Sequence, residues 1–430
     1  MHLLVLQTII FLFLSIYTYI AEDLYLSSSL AFWSILLILI MEYVKTKGIS
    51  LIFIFLISFL YMIPVEGILY YKTLYNDWGK NTVDFSFFLL ICSAFLVFIG
   101  FNFVKIKPYV LNLKEIIFNP KKLKSLIFII VCYNIFYFIF HLEMIVNNLT
   151  LGRGAVETTF NIQLTAIALI FLTIIAITVK NKFKVILIIL PTLLVLIGTG
   201  TRLFLVYAIL MLMTKDIISL PFKKSIKVLL ISIPILLFMN FIKSNRSSGL
   251  LNTNDFKEEK IIYETFTQKV ASYGSAEGLL RNIAMITDYT SIHDYTYGKS
   301  IGFLSYWWVP RSIWDDKPVM LDYWLIREYR NDFSAGYSTA SSYYGEIYMD
   351  FGPFISMVIC LFLGIFLGRL QNWINVNLNN NFETLIIGSF LYAWIFFGTR
   401  SIMTATFMLM WVILFSKIIY FIFKKYRFIL

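Results

Sequence analysis

The chain has 430 residues, of which 59% are hydrophobic and only 14% charged, with a formal net charge of +11. Apolar runs near 20 residues recur along the whole length, each able to cross roughly 30 Å of hydrocarbon as a helix, which excludes a soluble globular enzyme. The positive charge does not call for nucleic acid: it sits mostly in short connections between apolar runs, where it sets orientation and meets anionic headgroups.

In chain order the sequence predicts an all-α polytopic protein with spans at about 3–21, 29–44, 49–66, 84–104, 125–142, 160–179, 185–198, 203–214, 228–242, 346–367, 383–398 and 402–422. The first, Leu3 to Ala21, has no basic stretch ahead of it and no small-residue cleavage site after it. Glu22-Asp23 follows directly, so a retained helix is expected rather than a signal peptide. Nineteen basic residues fall in alternate short connections, in clusters such as Lys121-Lys122-Lys124 and Lys223-Lys224-Lys227. The short connections facing the other way hold only Lys72, Lys80, Arg153, Arg202 and Arg400. That asymmetry predicts twelve spans with both termini cytoplasmic and the longest connection outside. The chain therefore divides into helices over 1–242, a large external loop over 243–345, and helices over 346–430. Cys92, Cys132 and Cys360 all fall inside predicted helices, so the loop must be held by packing and not by disulfides. No zinc or iron–sulfur spacing is present, and no internal repeat marks an inverted-repeat transporter.

Residues 185–214 are too many for one span and too few for two ordinary ones with a loop. At their centre lies Gly198-Thr199-Gly200-Thr201-Arg202, a run suited to a tight turn whose threonines satisfy freed backbone groups. This predicts two short helices meeting below the outer surface, the first bent by Pro191, with Arg202 at the tip. An arginine there is costly unless answered. A diphosphate answers it well, because guanidinium binds phosphate oxygens as a fork and keeps its proton. The plainer alternative is that Arg202 snorkels to the headgroups. A second Gly398-Thr399-Arg400 falls at another outer helix end, and two such tips on one face favour an anion site.

The long loop is close to charge balance, so particular arginines matter more than the total. Its stretch Val270 to Thr287 predicts an amphipathic helix with Ala276, Leu279, Leu280, Ile283 and Ile286 on one face and Arg281 near it. That helix is expected along the membrane interface, over a cavity, or simply packed on the surface. Gly302 to Arg311 is too short to span and predicts a dip into the outer leaflet. Trp307, Trp308 and Trp314 form either an interfacial aromatic belt or platforms for sugar rings. Arg311, just past Pro310, is a second phosphate ligand candidate. Asp315-Asp316 offers either a divalent metal pair or ordinary turn chemistry beside Lys317-Pro318. The loop ends in a Ser-rich stretch leading to Gly345-Glu346-Ile347-Tyr348. Glu346 either complements a helix dipole or receives a proton from an acceptor hydroxyl, with Asp350 one turn further on in support. His293 is the loop's lone histidine.

Three features together resemble the Wzy-type polymerases of bacterial O-antigens and capsules: the turn at Arg202, Pro310-Arg311 followed by Lys317-Pro318, and the Ser-rich lead into Glu346-Ile347-Tyr348 with Phe351-Gly352. Ordered along a twelve-span chain, they cover most of the protein. The resemblance implies a GT-C-like membrane glycosyltransferase architecture related to O-antigen ligases, in the bacterial inner membrane. It implies transfer of a growing glycan from undecaprenyl diphosphate to a lipid-linked repeat unit, without nucleotide, metal or other cofactor. It further implies Arg202 and Arg311, then Arg281 and Arg400, as diphosphate ligands, Glu346 as base, and Trp307, Trp308, Trp314 and Tyr348 toward the sugars. The implied partners are undecaprenyl-diphosphate-linked oligosaccharides, the bilayer, a chain-length regulator and a flippase. An O-antigen ligase shares this outline but places a functional histidine in the loop, and the setting of His293 differs. A glycosyltransferase using lipid-monophosphate sugars needs an acidic pair in a larger first loop than Glu22-Asp23 offers. A flippase or transporter calls for polar groups near the midplane, where this chain has few.

Overall fold

A computed structural model describes residues 2–46, 48–107, 120–150, 161–179, 182–198, 207–209, 265–271, 278–306, 309, 313–317, 321–325, 340–377, 382–426 and 428. Helix is the only regular structure among them, as expected where lipid cannot hydrogen-bond the backbone. The order is α1 (His2–Ile20), α2 (Leu24–Thr46), α3 (Leu51–Trp78), α4 (Lys80–Phe103), α5 (Pro120–Phe140), α6 (Leu142–Thr150), α7 (Ile162–Thr178) and α8 (Lys182–Gly198). Four short helices follow, α9 (Phe266–Ala271), α10 (Leu279–Ile292), α11 (Lys299–Tyr306) and α12 (Leu321–Trp324). The chain closes with α13 (Ser342–Asn377), α14 (Phe382–Gly398) and α15 (Ile402–Lys425).

Seven of these, α1 to α5, α13 and α15, are long and apolar enough to cross a membrane, and α7, α8 and α14 are shorter apolar helices. Ten of the twelve expected spans are thus helical. The other two, 203–214 and 228–242, lie outside the described residues except for helical 207–209. Several expected boundaries move, among them the start of α2, at Leu24 and not 29, and the end of α13, at Asn377 and not 367. α3 runs on to Trp78, beyond the expected end at Glu66, and α13 starts at Ser342.

The chain divides into two units, Met1–Ile106 with Ile261–Asn372 and Ile395–Thr406, and Lys107–Lys260 with Trp373–Trp394 and Phe407–Leu430. In the first unit α3 is the central helix, packed on α2 and α4, and its Phe55, Phe59 and Ile63 are wholly buried. α1 turns Ile9, Phe13, Ile16 and Tyr19 outward, an apolar surface that suits lipid and not water. α4 and α13 cross backbone to backbone. A Cβ on Gly364 would lie 2.1 Å from the Val97 carbonyl oxygen, and one on Gly100 2.1 Å from that of Leu361. Gly364 and Gly368 form the small-xxx-small spacing that lets membrane helices approach this closely. α13 is also broken at Gly352 (φ 75°, ψ 180°), a conformation open essentially to glycine alone, so residues 342–351 form a separate half-helix before Pro353. At the other end of α13, Gln371 Oε1 accepts the Leu51 N–H (2.7 Å) and Asn372 Nδ2 donates to the Lys105 carbonyl (2.9 Å).

The second unit packs α5, α7 and α8 around Tyr137, Ile145, Ala168 and Val195. Polar pins fix the helices to one another. Asn134 Nδ2 donates to the Ile188 carbonyl (2.8 Å), and Tyr133 donates to the Leu164 carbonyl (2.7 Å). α8 contains Pro191 and ends at Gly198, whose carbonyl accepts from Asn148 Nδ2 at 2.9 Å. The run 199–202 that follows lies outside the described residues.

Candidate functional site

α10 does not lie along a surface. Instead of one helix over 270–287, α9 ends at Ala271 and a new helix starts at Leu279, after Gly278 in the left-handed region (φ 74°). Leu279, Leu280, Asn282, Ile283, Ala284, Met285 and Ile286 are all buried, and the helix packs on α3 and α4. The long connection therefore re-enters the bundle. A helix start buried in this way exposes unsatisfied N–H groups and a positive dipole end to low dielectric. Glu66 of α3 answers both. One carboxylate oxygen accepts from Leu280 N–H (3.0 Å) and the other from Arg281 N–H (3.1 Å). Glu66 is itself buried, fifteen residues into α3, roughly 22 Å along its axis from Leu51.

The same device recurs twice. Glu346, 1% exposed, accepts from the Ile402 and Met403 N–H groups (3.0 Å each) and from the Ser401 hydroxyl (2.6 Å), closing the start of α15. The Ser341 hydroxyl adds a fourth donor at 3.2 Å. Asp350, fully buried, accepts from the Ser300 and Ile301 N–H groups (3.0 Å each) at the start of α11, and from the Thr296 hydroxyl. Main-chain bonds Thr296 N to Met349 O (2.9 Å) and Tyr297 N to Asp350 O (3.0 Å) strap this segment to the half-helix. Three helix N-termini in one unit are thus closed by the protein's own carboxylates.

Further bonds join these pieces into one polar network. Asn282 Nδ2 donates to the Ala340 carbonyl at 2.7 Å, tying α10 to the start of α13. The Ser342 N–H donates to the Arg400 carbonyl (2.8 Å) and the Tyr343 N–H to that of Thr399 (3.2 Å), tying α13 to the turn before α15.

Of the sequence-predicted residues, Arg281, Arg400 and Glu346 all belong to this network. Arg281 has its main chain on Glu66 and its guanidinium on Asp77, near the end of α3. Arg400 is half-buried in the turn between α14 and α15, and that turn hydrogen-bonds directly to the start of α13. The Glu346 carboxylate accepts from at least four donors and faces α15, the second helix after its own.

Tyr348 is only 4% exposed and packs beside Tyr344 and Tyr295, with ring centroids at 5.7 and 6.2 Å. Its ring is buried among these tyrosines. Trp314 is exposed and leans on Tyr306 at 5.2 Å, and burial, then the negative charge of Asp350, push the Tyr306 hydroxyl above its ordinary pKa. Arg202, Arg311, Trp307 and Trp308 lie outside the described residues. Asp315 and Asp316 are exposed in a turn, while Lys317 is buried, donating to the Val309 carbonyl (2.9 Å) above the Phe303 ring. Among the described residues, no three of His, Cys, Asp and Glu group in a way that holds a metal ion. His293 is exposed and stacks on Tyr289 at 4.1 Å.

Sequence reasoning missed Glu66 and Asp77. The signal was an acid inside an apolar run, Ile63-Pro64-Val65-Glu66-Gly67-Ile68, which is costly in lipid and retained only for a reason. Ending the span at Glu66 hid it as an ordinary interfacial charge.

The profile of the O-antigen polysaccharide polymerase Wzy family matches residues 3–428. No curated protein and no solved structure matches the chain significantly. With apolar helices of membrane-spanning length running beneath a re-entrant polar network, the chain is an integral membrane protein that belongs to the O-antigen polysaccharide polymerase Wzy family.

Proposed function

We propose that the protein polymerises undecaprenyl-diphosphate-linked oligosaccharide repeat units, with the long connection on the outer side of the bacterial inner membrane and both termini in the cytoplasm. The family match over nearly the whole chain carries this reading. In the proposed step an acceptor sugar hydroxyl attacks the anomeric carbon of the lipid-linked donor glycan. The bond from that carbon to the diphosphate oxygen breaks, its electron pair leaves with undecaprenyl diphosphate, and the hydroxyl proton is released. The elongated glycan remains on the acceptor's own lipid diphosphate.

Such a step needs fixed cations where negative charge develops, and guanidinium groups supply them without a metal. Three helix N-termini that would otherwise attract an anion are occupied by Glu66, Glu346 and Asp350, so this role falls to the arginines. That Arg281 and Arg400 share one polar network supports this reading, and Arg202 and Arg311 are the further ligands proposed. We assign Glu346 a positioning role, setting the Arg400 turn against the start of α13. Exposed Trp314, with Trp307, Trp308 and Tyr348, remains the proposed sugar-facing aromatic group.

The test is a glycan ladder in the native host lacking the gene, complemented with wild type, Arg202→Ala, Arg281→Ala or Arg400→Ala at equal protein levels. Removing one donor to developing charge costs about 100-fold or more in rate, so each variant is expected to collapse the ladder toward a single repeat. A ladder that persists without the gene removes the polymerase reading. Repeat units trapped inside the cell would point to lipid-linked glycan export instead.

A further inference from the structure

Arg281 is held at two points by a single helix. Its main-chain N–H sits on buried Glu66, and its guanidinium pairs with Asp77, eleven residues further along α3. A straight helix would separate those two acids by roughly 16 Å. Tyr70, between them, leaves helical geometry (φ −122°, ψ 15°) and bends α3. The two contacts differ in kind. Glu66 is 3% exposed and accepts two N–H groups at a buried helix start, a contact that fixes the register of α10. The side chains of Arg281 and Asp77 are 38% and 39% exposed, so their pairing is screened and easily exchanged.

We propose that α3 is the holder of an anion-binding arginine. Glu66 sets where Arg281 stands, and Asp77 occupies the guanidinium until a diphosphate displaces it. This rests on the reading of Arg281 as a diphosphate ligand. A diphosphate offers several anionic oxygens to the guanidinium fork where Asp77 offers one carboxylate, so the exchange runs toward the ligand. Glu66 and Asp77 are then positioning residues with opposite effects. Removing the charge of Asp77 frees the arginine and tightens anion binding, whereas removing that of Glu66 shifts the arginine and weakens it. A merely structural salt bridge predicts no tightening.

The experiment titrates inorganic pyrophosphate onto the purified full-length protein in detergent, with affinity read by calorimetry and by ligand-induced thermal shift. Asp77→Asn is expected to bind about two- to five-fold tighter than wild type, the range set by losing one exposed ion pair. Glu66→Gln is expected to bind several-fold weaker, and Arg281→Ala to lose the site. The double variant Asp77→Asn with Arg281→Ala should bind no better than Arg281→Ala alone. Unchanged or weaker binding by Asp77→Asn overturns the proposal. So does tightening that survives loss of Arg281, or a wild type that does not bind pyrophosphate. Should Glu66→Gln fail to fold, Asp77→Asn decides alone, since its side chain is partly exposed. The glycan ladder is scored separately: a missing ladder with this binding pattern intact removes the polymerase reading and leaves the holder standing, and the reverse result does the opposite.

Discussion

Taking a carboxylate out of water costs several kcal/mol unless charge and hydrogen bonds answer it, and Glu66, Glu346 and Asp350 are each answered by a helix start. For Glu346 this gives a sharp expectation. Glutamine keeps the size but presents an NH₂ where an oxygen accepted two donors, leaving buried donors unmet at about 1–3 kcal/mol. Glu346→Gln should therefore lower the detergent melting temperature and chain extension together, and Glu346→Ala should lower both further. Activity lost at an unchanged melting temperature would return Glu346 to the role of base. The sequence reading offered this residue two roles, a partner for its own helix's dipole or a base; the dipole is the right physics, but the helix start it meets is that of α15. Glu346 lies past the start of α13 and serves α15, whose start is 56 residues away and invisible to local pattern.

At the scale of elements, the spans were legible because hydropathy over 20 residues needs no knowledge of neighbours. The position of α10 was not. An apolar stripe looks the same whether a helix rests on a surface or enters a bundle. What distinguishes this one is burial of Asn282, Ala284 and Met285 as well as the stripe, and that depends on α3 and α4. The α4–α13 crossing was written in the spacing of Gly364 and Gly368 but passed unread. Gly364→Val should separate two backbones now in contact and cost about 3 kcal/mol or more, seen as a lower melting temperature and poor yield. Gly302→Ala is the control: its nearest neighbour is the Tyr306 ring at 3.7 Å, so the added methyl should be tolerated.

For the whole molecule, the charge asymmetry of the connections predicts orientation. A fluorescent reporter joined after Lys425 should light up in the cytoplasm, and a phosphatase inserted within 243–264 should be active outside. The opposite pair of signals would invert the proposed topology. The composition already declared a membrane protein with one dominant connection. It did not show that this connection is woven into the frame, because a loop's length and polarity say nothing of where its helices start.

That weaving bears on how relatives of this protein can be recombined. The long connection is not a cassette. Two of its helices begin against acids outside it, Glu66 in α3 and Asp350 in α13, while the first turn of α15 draws on Glu346 next to its end. A chimera that exchanged residues 265–341 alone would break the bonds that join two buried carboxylates to two helix starts. To change glycan specificity by transplantation, the smallest workable graft carries α3, the half-helix 342–351 and the turn at 399–403 along with the loop.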